Sequence, residues 1–453
     1  MKNNYSSVFG HFKTHLILLV LFICSSPKAQ TIQTENISIS EGLTSLDIRS
    51  VIQDKYGLIW IGTKDGLFHY DGYDFVRFKN IPGKANSLQN DIVRGSALDV
   101  DQNIWVANDD GISKYNRKKN EFVNYNLGEQ FNLIGNAGGR VFNLLIDSKN
   151  RMWAASAFFE TLLFDTLSNN WNRVEYLLND TNRVKIENGM TLALAEDKNK
   201  KIWIGSKQYG LMYYRESDSV FIPAKFRQNS AKIDFTANEN FITFLYIDPT
   251  NTMWITTRSG VFKYNSKTGD LKTLKIYDNF KDEIANYYNS INQDNQGNIW
   301  ISNNYRGILK FDGISDEFEE VSILRNGKVL GTGSAIILTR TMVDKTGIFW
   351  FGTISRGIMK YDPSNEPFLH YTSNESDESG LSNRNIFGLL ESKVHPGKVY
   401  VGTRGGGLNI FDQTNRTFER INFNVISDQF GGSVRGIAED DDDHYGLVPG
   451  VMD

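Results

Sequence analysis

The 453-residue chain has one cysteine, six histidines and eight prolines, and its charges nearly cancel. Each scarcity closes a line of explanation. Cys24 lies in an apolar N-terminal run, so the remainder has no disulfide framework, no cysteine nucleophile and no thiolate metal site. His11 and His15 share that N-terminal stretch, His69 and His370 fall in strand-like runs, His395 in a turn and His444 near the end. No two have metal-ligand spacing, which speaks against zinc chemistry. With 49 Lys+Arg against 53 Asp+Glu, there is no basic field for nucleic acid to use. The run Leu16–Cys24 is nine residues, where a membrane helix needs about 20. Lys2 and Lys13 precede it and Ser25-Ser-Pro-Lys-Ala-Gln30 follows, the pattern of a secretory signal over residues 1–30. A buried strand is the competing reading of that run. Leu21-Phe-Ile-Cys24 faintly resembles a lipoprotein box, but the bulky Ile23 argues against it. The expectation is export to the periplasm, with no transmembrane segment in the mature chain.

What the chain has in abundance is one phrase. It first reads Asp54-Lys-Tyr-Gly-Leu-Ile-Trp60-Ile-Gly-Thr63, followed by Gly66-Leu67 and Tyr70-Asp71. An aromatic anchors each copy: Trp60, Trp105, Trp153, Trp203, Trp254, Trp300, Trp350 and Tyr400, at spacings of 45 to 51 residues. A fixed period of this length marks stacked or circular repeats, in which each unit buries its apolar face against its neighbours. The first copy holds four short apolar runs, Ile48–Gln53, Ile59–Thr63, Leu67–Tyr70 and Phe75–Phe78, rich in β-branched and aromatic residues. An Asp stands six positions before each Trp, from Asp54 to Asp344, where a hairpin must turn. Small residues two positions after the aromatic, such as Gly62 and Gly205, let neighbouring sheets approach. In the third unit Glu160 replaces the glycine that otherwise follows. Four strands per period is a propeller blade.

The predicted fold is therefore all-β: a seven-bladed β-propeller of four-stranded antiparallel blades over 31–372, a linker at 373–380, and the start of a second propeller over 381–453. The acidic stretch Ser373–Gly380 forms the seam, and Gly380-Leu-Ser-Asn383 restarts the chain as Glu41-Gly-Leu-Thr44 began it. One eight-bladed ring is the alternative. A strand near Asn36–Ser40 is available to complete a blade.

These in-register copies resemble the two-component-regulator propeller repeat, across about residues 31 to 440. The chain looks like the N-terminal periplasmic sensor region of hybrid two-component systems of gut and marine Bacteroidetes. The resemblance implies two seven-bladed propellers and a β-sandwich joined through a membrane helix to a histidine kinase, a receiver and an AraC-type DNA-binding domain. It also implies sensing of glycan fragments. The chain departs from that pattern within its ninth repeat, so the expectation is a sensor fragment without kinase activity. There a Trp is due near position 446, yet the chain reads Tyr445-Gly-Leu-Val-Pro-Gly-Val-Met-Asp453. Joining the last base of each codon to the first two of the next, from Tyr445 to Pro449, permits Trp-Phe-Gly-Thr, as at Trp350–Thr353. A frameshift truncation is expected on that ground.

For function, a propeller lyase or glycoside-active enzyme needs clustered His/Glu or paired carboxylates, and no pair stands out from the repeat's own Asp residues. Asp99-Val-Asp101-Gln-Asn103 has the look of a calcium loop, but its recurrence at the hairpin favours turn formation, and Asp440–Asp443 reads as a solvated turn. No metal, cofactor or catalytic residue is expected. Binding is the better hypothesis, at the loops between the aromatic strand and the next one. These carry Lys64, Asp65, Lys207, Tyr209, Arg258, Tyr305, Arg306, Arg356 and Arg404. Arginine forks match carboxylate or sulfate and aromatic faces stack on sugars, so an anionic oligosaccharide is the sharper expectation; soluble loop arginines are the plainer one. A structural module contacting another propeller or a dimer partner is the third class.

Overall fold

A computed structural model of the chain describes residues 30–449, apart from 134–138, 180–181, 187–188, 228–232, 238–239, 275–287, 304–306, 326–327, 331–335, 365–370, 374–379, 416, 422–431 and 441–443. The N-terminal apolar run, Cys24 and most of the expected seam thus lie outside the described residues. Two compact units emerge, Met1–Asn365 and Glu366–Asp453. Their division falls a few residues ahead of the seam expected at 373–380.

The fold is an all-β propeller. In the first sheet, Ile48–Gln53, Ile59–Thr63, Gly66–Tyr70 and Phe75–Phe78 pair antiparallel in sequence order. Those bounds differ from the apolar runs only at Gly66. The same plan repeats in the sheets whose inner strands are Val93–Leu98, Val141–Ile146, Thr191–Glu196, Phe244–Ile247, Tyr288–Gln293 and Leu338–Val343. Each inner strand lies against that of the following sheet, and Leu338–Val343 lies against Ile48–Gln53, so the cycle returns on itself. The seventh sheet takes its outermost strand, Glu35–Ile37, from the other end of the unit, paired antiparallel with Ile358–Tyr361. Thr31–Gln33 adds in parallel to the outer strand Glu317–Arg325 of the sixth. Among the described residues the helical elements are Leu127–Gln130 and the 3-10 turn Ile39–Glu41.

One local device builds the first hairpin of each sheet in this unit. Asp54 Oδ1 accepts the backbone N–H groups of Tyr56 (2.8 Å) and Leu58 (3.0 Å), while Oδ2 accepts the Trp60 indole N–H at 2.9 Å. The same indole-to-carboxylate bond, 2.8 to 3.0 Å, joins Trp105, Trp153, Trp203, Trp254, Trp300 and Trp350 each to its own Asp. The Asp therefore does more than turn the chain: it satisfies the one polar atom of the largest buried side chain. At Asp99–Asn103, read as a turn rather than a calcium loop, the Asn103 amide and the Trp105 indole donate to the Asp99 carboxylate.

Packing runs between sheets. Trp203 shares a buried cluster with Leu245, Ile255 and Phe262 of the next sheet, and Trp350 shares one with Ile48, Val51 and Phe68 of the first. Close approach requires a small residue beside the aromatic: a Cβ on Gly62 would sit 2.4 Å from Val93 of the neighbouring inner strand.

In the second unit, Ile386–Glu391, Lys398–Thr403, Leu408–Asp412 and Thr417–Ile421 form one more four-stranded sheet, followed by the hairpin Val434–Glu439 and Tyr445–Pro449. Here Ser392 holds the Asp position and accepts no indole. Glu439 of the following hairpin supplies the carboxylate, bonding Ser392 Oγ at 2.6 Å and the Tyr400 hydroxyl. In the last hairpin Gly446 stands opposite Ala438, the place that Trp60 takes opposite Ile52.

Candidate functional site

The loops singled out by sequence share a built shape. The residue three positions after the Trp is polar and bonds the turn that follows: Thr63 Oγ1 accepts Asp65 N–H (2.9 Å) and donates to Gly66 O (2.9 Å), and Thr353 does the same with Arg356 and Gly357. The first loop residue then donates its N–H to the carbonyl just ahead of the inner strand: Lys64 to Asp47 (3.1 Å), Ala157 to Arg140 (2.9 Å), Lys207 to Met190 (2.8 Å), Ile354 to Ile337 (3.1 Å) and Arg404 to Asn385 (2.9 Å). These loops are thus pinned beside the strands that face the ring axis.

The expected site residues divide within that frame. Lys64 is exposed. Asp65 is engaged with its own sheet's outer strand, paired with Arg77 and, at 2.9 Å, with Lys79. Lys207 and Arg258 both lie over the Phe241 ring, at 5.9 and 4.8 Å. Tyr209 is half-buried and packs into the core near Tyr176. Arg356 is half-buried beside the ordered turn. Arg404 is exposed and belongs to the second unit. Tyr305 and Arg306 lie outside the described residues. The structure therefore sets Lys207 and Arg258 over one ring, that of Phe241.

Sequence reasoning missed a second set of residues, carried by a bulge. Near the start of the inner strands the register slips, at Ile48/Ser50, Val93/Gly95, Val141/Asn143, Thr191/Ala193 and Leu338/Thr341. A bulge re-aims the extra side chain, and the extra residues are Arg49, Arg94, Phe142, Leu192 and the pair Thr339-Arg340. Arg94 forks onto Asp109 through Nε and, at 3.1 Å, a terminal nitrogen. It also lies 5.7 Å over the ring of Phe142. Arg140 reaches the same carboxylate at 3.4 Å, and Arg49 pairs with Asp47 at 3.0 Å. Burial alone would raise the Asp109 carboxyl; the guanidiniums of Arg94, Arg140 and Arg49 hold it below its usual range instead. Arg340 lies 5.1 Å over Phe244, and burial brings its guanidinium down to about 10. The available signal was the variable residue after the first apolar residue of each inner strand, as in Ile48-Arg49 and Val93-Arg94.

Glu160, the residue that replaces the repeat glycine, is fully buried at φ +56°, so it keeps the left-handed backbone that glycine supplies elsewhere. Its carboxyl accepts from Thr191 Oγ1 (2.5 Å) and from Ser206 Oγ (3.0 Å), and Ser206 Oγ in turn accepts the N–H groups of Gln208 and Tyr209. Burial pushes its pKa up against these bonds.

Residues 42–65 and 282–305 match the two-component regulator propeller family. Two of the repeats thus match the two-component regulator propeller model. A 74-residue stretch is 32% identical to histidine kinase P4 of Formosa agariphila, over 5% of that protein's length. Two extracellular domains of putative hybrid two-component systems from B. thetaiotaomicron share the fold over 92% of this chain, with TM-scores of 0.64 and 0.56 at 21% and 18% identity. The chain spans about half of each, 52% and 51%. A virginiamycin B lyase from Staphylococcus aureus is similar over 73% of this chain and 98% of its own, with a TM-score of 0.53 at 12% identity. At such identities these structures speak to the propeller fold. The repeat here carries an Asp–Trp bond in each of its first seven copies and a variable loop beside the inner strand. No helix among the described residues is long and apolar enough to cross a membrane.

Proposed function

We propose that this chain is the extracytoplasmic, ligand-sensing propeller region of a two-component receptor, exported by its N-terminal segment and recognising an oligosaccharide. One observation carries the reading. A repeat of sensor type sets its variable loops and its bulged inner-strand residues at one end of the ring. There, guanidinium groups and aromatic rings stand together on a rigid scaffold, as at Arg258 and Phe241 and at Arg94 and Phe142. Such pairs suit sugars bearing oxyanions. The site acts by binding, and the signal passes to a partner propeller, dimer partner or kinase. The returning cycle of inner strands supports a single seven-bladed ring over 31–372, closed by Glu35–Ile37.

A thermal-shift screen of the purified protein against oligosaccharides tests the reading. A ligand at 100 times its dissociation constant adds about 2.7 kcal/mol, a clear rise in Tm. A panel of neutral and charged oligosaccharides without any shift would overturn it.

A further inference from the structure

We propose that Arg49, Arg94 and Arg140 form an oxyanion subsite on the first three sheets, with Asp109 as its resident counter-ion, and that it takes the sulfate or carboxylate of a charged saccharide. This deepens the proposed function and rests on its saccharide reading.

The three arginines come from three separate sheets. Arg49 and Arg94 are the bulged residues of the first and second inner strands, and Arg140 stands just ahead of the third. Arg94 and Arg140 thus meet one loop carboxylate, Asp109, and Arg49, bonded to Asp47, adds its field there. That carboxylate already shows the site's chemistry: Arg94 presents its fork to two oxygens at once, while Arg140 meets one of them at 3.4 Å. Two-oxygen recognition of this kind is what guanidinium does best with carboxylate and sulfate. Phe142 supports the Arg94 plane from below.

Charge is left over. Among the described residues the ion pairs of these three arginines are with two carboxylates, Asp47 and Asp109, while on the flanking loops Lys64 is exposed, Asp65 is paired with Arg77 and Lys79, and Asp110 accepts from Asn90. Arg49 Nε is buried without a hydrogen-bond partner among the described residues, and so is Asp47 Oδ1. A buried donor left unmet is costly, so the Arg49–Asp47 pair is incompletely satisfied within its own sheet. The cations remain reachable: the side chains of Arg140 and Arg49 are 45% and 29% exposed, against 16% for Asp109. Asp109 therefore occupies the inner edge of the subsite, and the outer edge accepts the ligand.

The experiment is isothermal titration of the whole chain with sodium sulfate, glucose 6-sulfate, glucuronate and glucose at matched ionic strength. The charged probes are expected to bind and glucose to bind at least tenfold more weakly; comparing the sulfate ester with the uronate identifies the preferred anion. Arg49→Gln and Arg140→Gln should each weaken the charged probes about tenfold, as loss of a charged hydrogen bond does. Asp109→Asn removes the internal competitor and should tighten them several-fold, a gain that a merely damaged fold does not give. Lys118→Gln, on an exposed turn at the other end of the second sheet, should bind as wild type does. Equal binding of charged and neutral probes, or arginine variants indistinguishable from wild type, would overturn the subsite. If neutral oligosaccharides bind while the arginine variants are silent, the sensing reading stands and this inference falls. If sulfate binds through the arginines but no saccharide does, the subsite stands and the saccharide reading falls.

Discussion

The indole of Trp203 donates to the carboxylate of Asp197 at 2.9 Å, and this bond ties a surface hairpin to the core between two sheets. Asp197 Oδ1 shapes the turn through the N–H groups of Asn199 and Lys201, while Trp203, 1% exposed, packs against the next sheet. Trp203→Ala should cost about 3–5 kcal/mol, as large aromatic truncations do. Asp197→Ala should cost about 1–3 kcal/mol, the penalty for stranding a buried donor. Because both remove one shared bond, the double variant should lose less than the sum. Urea unfolding of all three reads this directly, and strict additivity would mean the bond contributes nothing.

Exposed loop residues should behave differently. Lys207 is exposed, with its backbone N–H on Met190 and its amine over the Phe241 ring. Lys207→Ala should leave stability within about 0.5 kcal/mol, so any loss of ligand response in that variant reports binding. A large fall in Tm would remove Lys207 from the site.

Acid should destabilise the protein in a definite window. For Asp54, Asp99, Asp147 and Asp344, burial alone would raise the carboxyl, but the indole, backbone and cationic partners hold each one below its ordinary value. The folded state then binds fewer protons than the unfolded one. The stabilisation is present above the unfolded value near 4 and is lost as the pH falls through the lower folded values. Tm measured from pH 7 to pH 3 should be flat and then drop, with a shallower drop in Asp344→Asn. A Tm that rises on acidification would contradict the assignment.

Glu160 has the opposite sign. Burial raises its folded value, so stability is fully present below the unfolded glutamate value of about 4.3 and declines as the pH rises through the folded one. Glu160→Gln should therefore gain Tm at pH 8 and gain little at pH 4. Equal shifts at both pH values would show that volume or hydrogen bonding, rather than charge, sets the effect.

In the second unit one inner-strand position is exposed among the described residues. Leu389 stands opposite Val401, the residue after Tyr400, as Leu245 stands opposite Ile255 after Trp254. Yet Leu389 is 66% exposed and Leu245 only 4%. In the first unit the preceding sheet's Trp covers that position, as Trp203 covers Leu245. Leu245→Asp should cost more than about 4 kcal/mol and Leu389→Asp less than about 1 kcal/mol. A comparable loss at Leu389 would mean that its face is covered in solution.

The sequence by itself determined the repeat, its strands and its core. Those depend on short-range rules: alternation within Ile59–Thr63, the turn at Asp54 and the size of Trp60. Each acts within one hairpin, so each leaves a local imprint. Even the weak final copy kept its phase, with Gly446 in the Trp position. Tertiary structure decided which charges meet. Arg94 and Asp109 are both on the second sheet, but Arg49 and Arg140 come from its two neighbours. The bulge itself recurs from repeat to repeat, down to Val434/Gly436 in the last hairpin, but which charges it brings near one another depends on neighbouring sheets that no single repeat contains. Glu160 shows the same limit from the other side: the residue breaks the glycine pattern in the sequence, yet Thr191 and Ser206, which make its burial tolerable, belong to the next blade.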